Sequence, residues 1–168
     1  ILYEEETTIL STNGWYNTKT ELSQLLDRSR IIHTDGITLT GDTIYYDKAN
    51  GYGRCLGHIE STDSANHITL YGHVSEVWED GGKGYVTDSA MMLDWSDSTM
   101  FTYMHADTLW TEEIPYQTYS LLMKDSVMVD SVLVASAPDT IWKDTSYQQL
   151  RAFHHVRIYR EDMQAVCD

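Results

Sequence analysis

The stretch "GHIESTDSANHITLYGHV", residues 57–74, opens and closes on Gly-His followed by a β-branched residue, with a third histidine, His67, between. It has two possible readings: three imidazoles gathered for a metal ion, or punctuation in a repeating strand. The flanking sequence separates them. "ITLTGD" (37–42) returns as "ITLYGH" (68–73), and "WYNTKTELSQLLDRS" (15–29) aligns without gaps on "YYDKANGYGRCLGHI" (45–59). Self-similarity at a near-constant spacing marks a repeat architecture. In the earlier copy Arg28 stands where His58 stands later, and Asp42 where His73 stands. The repeat therefore needs a polar residue at these places and does not need imidazole. The three imidazoles with Glu60 could make a zinc ligand set, but a repeat that tolerates Arg and Asp at two of the places argues against a metal site. His154 and His155, if placed in a strand, point to opposite faces and cannot share one ion.

What recurs is a strand ending in a large ring and followed by a polar turn. Tyr16, Tyr46, Trp78, Trp95 and Tyr159 hold the ring position. Asn50-Gly51 and Asp80-Gly81-Gly82 supply residues that tolerate positive φ in tight turns. A second element, Asp-x-apolar, recurs in "GDTIYYD" (41–47), "TDSANHI" (62–68), "TDSAMML" (87–93) and "ADTLWTE" (106–112). At strand period, Asp42, Ile44 and Tyr46 share a face, as do Asp88, Ala90 and Met92. The acid is expected near solvent and the apolar residues inside. One segment competes: "TKTELSQLLDR" has capping-box spacing and leucines at helical intervals. Its repeat partner "KANGYGRCLGH" carries three glycines, which disfavour a helix, so residues 21–33 are predicted to be strand.

Composition agrees. Five Trp and twelve Tyr against two Phe, with only two Pro, favour strands. The 168 residues suit one domain burying roughly 70% of the unfolded chain's surface. A net charge of −15, with eleven Lys and Arg against 26 acids, excludes nucleic acid as the expected partner. No apolar run approaches the roughly 20 residues of a membrane helix; the longest, 127–137, is broken by Asp130 and Ser131. Cys55 and Cys167 are too few for a disulfide framework. Nucleophile-elbow, phosphate-loop, dinucleotide and zinc-protease motifs are missing, and no carboxylate pair is singled out, so neither catalysis nor a cofactor is expected. The chain starts at Ile1 without a recognisable leader and stops at "AVCD", where the pattern calls for another strand; it reads as a segment of a longer protein. Residues 113–149 have no counterpart in the repeats and read as an insertion with a short hairpin around 126–135.

The residues "GDTIYYDKANGYGRCLGHIESTDSANHITLYGHVSEVWEDGGKGYVTDSAMM", "MHADTLW" and "RAFHHVRIYREDMQAVCD" together resemble the OstA-like family. That family includes the LptA-type lipopolysaccharide-transport proteins and the related N-terminal region of the LptD outer-membrane assembly protein. The likeness runs closest to Bacteroidetes-type OstA-like proteins and covers the chain apart from 113–149. It implies an all-β fold, an open V-shaped β-jelly roll of antiparallel strands forming a single domain over 1–168. It also implies a non-enzymatic periplasmic role without metal or cofactor. Copies or related β-jelly rolls would stack end to end from the inner to the outer membrane, their apolar groove carrying the acyl chains of lipid A.

The inward residues predicted to line such a groove are Ile44, Tyr46, Ile59, Leu70, Val74, Val77, Met92, Leu109, Val156 and Ile158. From alternation alone, the same residues equally describe a closed core; the resemblance favours a groove. Met91, Met92, Met100 and Met104 suit a surface that adapts to irregular chains. The other reading is a β-repeat scaffold or glycan-binding module, with Trp and Tyr clustered on an outer face.

Overall fold

A computed structural model describes residues 2–4, 7–122, 127–129, 132–134 and 139–167. The chain divides into two compact units, residues 1–112 with 150–168, and residues 113–149.

The first unit begins with short strands: β1 (Leu2–Glu4), β2 (Thr7–Leu10), β3 (Asn13–Asn17), β4 (Leu22–Leu26), β5 (Ser29–His33), β6 (Ile37–Gly41) and β7 (Thr43–Asp47). Long ones follow: β8 (Tyr52–Asp63), β9 (Ile68–Trp78), β10 (Lys83–Asp94) and β11 (Thr102–Leu122). Residues 21–33 form two strands rather than a helix, with Glu21 in the preceding turn at φ 56°. Hairpin turns repeat their chemistry. The Asp47 carboxylate accepts from Asn50 N and Nδ2 at 3.2 and 2.8 Å, and Asp63 does the same for Asn66 at 3.0 and 2.7 Å. These side-chain bonds pre-set each turn.

The sheet forks at β8. Residues 52–56 of β8 pair with β7, which pairs with β4 and then β3. Residues 60–63 pair instead with β6, which leads to β5, β2 and β1. We call these the β3 arm and the β1 arm. β9, β10 and β11 each contribute one half to either arm, with register shifts between the halves. β11 then pairs with β14 (Asp139–Phe153) and, at residues 103–105, with β15 (Val156–Arg160), which pairs with β16 (Met163–Cys167). All these pairings whose register is described are antiparallel. Among the described residues the sheet stays open, its main path running from β1 to β16.

The forking depends on backbone bends in alternate strands, which the neighbouring β9 and β11 meet through register shifts. Gly57 and His58 (φ 73° and 44°) bend β8, and Asp88 and Ser89 (60° and 64°) bend β10. In the earlier copy the bend at Asp27 (φ 60°) and Arg28 breaks the strand into β4 and β5, and Asp42 separates β6 from β7. His154 and His155 (59° and 49°) lie in the bend before β15, outside any strand. Such φ values disfavour non-glycine residues, so side chains must hold them. Arg28 Nη1 donates to Asp42 Oδ1 at 3.2 Å and to the His58 carbonyl at 2.7 Å. His58 Nδ1 lies 2.5 Å from Asp42 Oδ2, His73 Nδ1 3.1 Å from the Asp88 carbonyl, and His155 Nδ1 2.8 Å from Asp107 Oδ2. The recurring acid thus has two uses: Asp42, Asp88 and Asp107 belong to the bends, while Asp63 closes a turn.

Between the arms, Val86, Ala90, Met92, Ala106 and Leu109 form one buried cluster and Ile44, Cys55 and Ile59 another. The second unit comprises the distal parts of β11 and β14 and the hairpin of β12 (Val127–Val129) and β13 (Val132–Val134), where the sequence places one. Along its shaft Tyr116 meets Tyr147 at 5.7 Å between ring centres and Tyr119 meets Trp142 at 5.4 Å.

Two outcomes follow for the bends. Gly72 is buried, and a Cβ there would overlap the Val86 side chain and approach the Thr87 carbonyl at 3.1 Å. Gly72→Ala should therefore cost about 1–3 kcal/mol in chemical denaturation. The Asp42 carboxyl is held below its ordinary value of 3.8, first by its hydrogen bond to His58 and then by Arg28. A lowered carboxylate pKa stabilises the fold above the unfolded value, and this is lost as pH falls through the folded value. Asp42→Asn should lower Tm at neutral pH, and the gap to wild type should close below pH 3.8.

Candidate functional site

Strand alternation sorts the side chains of the β3 arm into two inward rungs. One runs Gly14–Leu25–Ile44–Cys55–Ser75–Val86–Leu109. The next, one pleat further from the bends, runs Tyr16–Ser23–Tyr46–Gly53–Val77–Gly84–Thr111. The β1 arm answers with Ile9–Ile31–Leu39–Ser61–Leu70–Met92–Met104–Ile158. Nearly every member is apolar or small, so the two walls face each other with little to hydrogen-bond.

Nine of the ten residues predicted from sequence fall on these walls or against them, Ile59 and Val156 as members of the two packed clusters. Val74 does not. It pairs with Leu56 and Thr87 on the opposite face, because the register shifts against β8 and β10 fall just before it and change which parity of β9 faces in. Met91 likewise lies across from Tyr71 and His105, away from the walls, whereas Met92 and Met104 face in.

The interior is not uniform. Ile59, Met92 and Leu109 are 2%, 7% and 1% exposed, so the walls touch along β8 to β11. Towards β2 and β3 they part, leaving a cleft of about 630 Å³. Ile9, Ile31 and His33 line it from the β1 arm, and Tyr16, Leu25, Ile44 and Tyr46 from the β3 arm. The Tyr46 hydroxyl donates to Glu79 at 2.6 Å, and Lys48 brings the one lysine to the lining. Further along the same rung Val77 is 47% exposed, and its two methyls lie over Gly53 and Gly84, where a Cβ would meet them at 2.9 and 3.1 Å. Ile9, Leu25 and Ile31 were not singled out in the sequence. Leu25 could have been, since it aligns with Cys55 in the repeat.

The histidines do not converge. His58 and His73 lie 5.5 Å apart by ring centre on the bends, but His67 packs edge-on against Trp95 at 4.7 Å. Among the described residues no three of His, Cys, Asp and Glu are placed to hold a metal ion.

Cys55 belongs to the inner wall. Burial pushes its thiol up to about 12, with the nearby Asp42 charge a lesser cause, while Cys167 is exposed on β16. A thiol so raised carries almost no thiolate at neutral pH. An aromatic disulfide reagent at pH 8 should therefore modify one cysteine per folded chain and the second only on unfolding, with Cys167→Ser removing the fast phase.

No family model and no curated protein matches this sequence. Among solved structures the chain is similar to LptH, the LptA-homologous periplasmic component of the conserved lipopolysaccharide transport device from Pseudomonas aeruginosa. The TM-score is 0.50 at 12% identity, covering 62% of this chain and 73% of that one. At that identity the likeness establishes the fold: the chain is an open, antiparallel LptA-like β-jelly roll.

Proposed function

We propose that this protein is a non-enzymatic carrier module that holds the acyl chains of lipopolysaccharide, through lipid A, between its two arms. The observation that carries the reading is the cleft of about 630 Å³ with apolar walls from both arms. Its volume falls within the roughly 300–1,000 Å³ of ordinary ligand sites. Each methylene moved there from water contributes about 0.8 kcal/mol, so chain length alone can supply affinity. The buried residues Ile59, Met92 and Leu109 extend the same path, and an acyl chain would reach them where the arms separate. The fold shared with LptH supports the periplasm as the setting, in a bridge between inner and outer membranes, and the sequence likeness supports a Bacteroidetes-type OstA-like module.

The ends of the sheet fit a bridge. Among the described residues β16 pairs only with β15 and β3 only with β4, and the residues of both are exposed. Sheet edges template a further strand. End-to-end contact with related β-jelly rolls, or with a second copy, would continue the walls from one unit to the next.

A photo-crosslinking amino acid at Tyr46 or Ile9 should capture lipopolysaccharide, while one at Arg30, on the outer side of β5, should not. Equal capture at Arg30, or none at Tyr46 and Ile9, contradicts the groove and favours a scaffold role.

A further inference from the structure

The outer face of the β3 arm carries a feature that lipid transport does not use. Opposite the inward rungs, one row of residues crosses seven strands: Trp15, Gln24, Tyr45, Arg54, Glu76, Tyr85 and Trp110. At the roughly 4.8 Å spacing of strands, its six intervals span about 29 Å. Tyr52 and Trp78 stand one pleat away on the same face, and the rings touch in sequence. Tyr45 meets Tyr52 at 6.3 Å between ring centres, Tyr52 meets Trp78 at 5.7 Å, and Trp78 meets Trp110 at 6.3 Å. Tyr85 and Trp110 are within 10° of parallel at 6.2 Å.

Polar groups are set between the rings. Arg54 Nε lies 3.4 Å from Glu76 Oε1, and that carboxylate also faces the Tyr52 and Tyr85 hydroxyls, with the Glu76 side chain only 18% exposed. At the row's end Trp15 Nε1 donates to Gln24 Oε1 at 3.2 Å while Trp15 remains 46% exposed. Cross-strand ring pairs stabilise a sheet by themselves. That accounts for any two neighbours, but not for a strip that reaches from β3 to β11 on the solvent side and ends in an exposed tryptophan.

The electrostatics narrow the occupant. In a chain of net charge −15, the row's one cation and one anion neutralise each other. An anionic polymer finds no free positive charge there, and a basic one finds no unpaired carboxylate in the row. A neutral chain with alternating C–H faces and hydroxyl edges fits both the rings and the fixed donors and acceptors between them. We infer that the outer face of the β3 arm binds a linear, neutral polysaccharide along the Trp15–Trp110 row. The row runs on the face opposite the inward rungs, and only Trp15, at its β3 end, also borders the cleft.

The test is electrophoresis of the whole chain through native gels containing hydroxyethylcellulose or a galactomannan, against a plain gel. Wild type should be retarded in at least one. Trp110→Ala and Trp15→Ala should each weaken retention by about tenfold, the worth of one aromatic contact. Trp15 is 46% exposed, so its loss should leave the far-UV spectrum unchanged, and crosslinking of lipopolysaccharide at Tyr46 should persist in Trp110→Ala, which lies outside the cleft. No retardation in either polysaccharide gel overturns the inference, as does equal retardation of both variants and wild type. Retention by dispersed lipopolysaccharide alone also overturns it and returns any glycan contact to the groove.

Discussion

The long strands β8 and β10 serve two arms because their backbones turn through a few residues in conformations that most sequences avoid, and β9 and β11 follow them through the register shifts. The pair Gly57-His58 shows how the turn is held. Glycine at φ 73° accepts a geometry in which a Cβ would press on the Asp42 carboxylate at 2.5 Å. The same carboxylate holds His58 and Arg28, and Arg28 reaches on to the His58 carbonyl. The Asp42 amide donates to the carbonyls of both Leu56 and Gly57 at 3.0 Å. Backbone groups that the bend withdraws from the ladder are thus satisfied by its neighbour copy, as buried or strained backbone requires. Without the bends the sheet would be single, and no interior would exist.

The interior then follows from alternation. Side chains facing the space between the arms are apolar, and where strands from both arms crowd together they seal, leaving Ala90 and Ala106 with no exposed surface. Small residues at that point let the walls meet next to the bends. Towards β2 and β3 the walls diverge and larger residues, Tyr16 and Tyr46 among them, border the cleft. A carrier of acyl chains needs this combination: a surface apolar enough to replace water and a stretch not already filled by its own side chains.

Much of this was legible in the sequence. The self-alignment at an offset of thirty residues turned the ambiguous "TKTELSQLLDR" into strand. Nine of the ten residues read as inward lie on or against the two walls, because period-two alternation holds within a strand. Val74 lies on the opposite face, just past the register shifts against β8 and β10, where the inward parity of β9 changes and single-strand periodicity cannot register the change. The same blindness hid the double use of aspartate, since a residue at a bend and one closing a turn both precede a strand. The ring row on the outer face was out of reach, because its members come from seven strands whose register only the folded sheet fixes.

The claim on which the functional account rests is that lipid enters between the arms. Spin labels at Ile9 and Tyr16, one on each wall of the cleft, report that separation as a distance distribution. Adding lipopolysaccharide should shift and narrow this distribution, while labels at Tyr45 and Trp110, both on the β3 arm and outside the cleft, keep theirs. An unchanged Ile9–Tyr16 distribution at saturating lipopolysaccharide would contradict that claim.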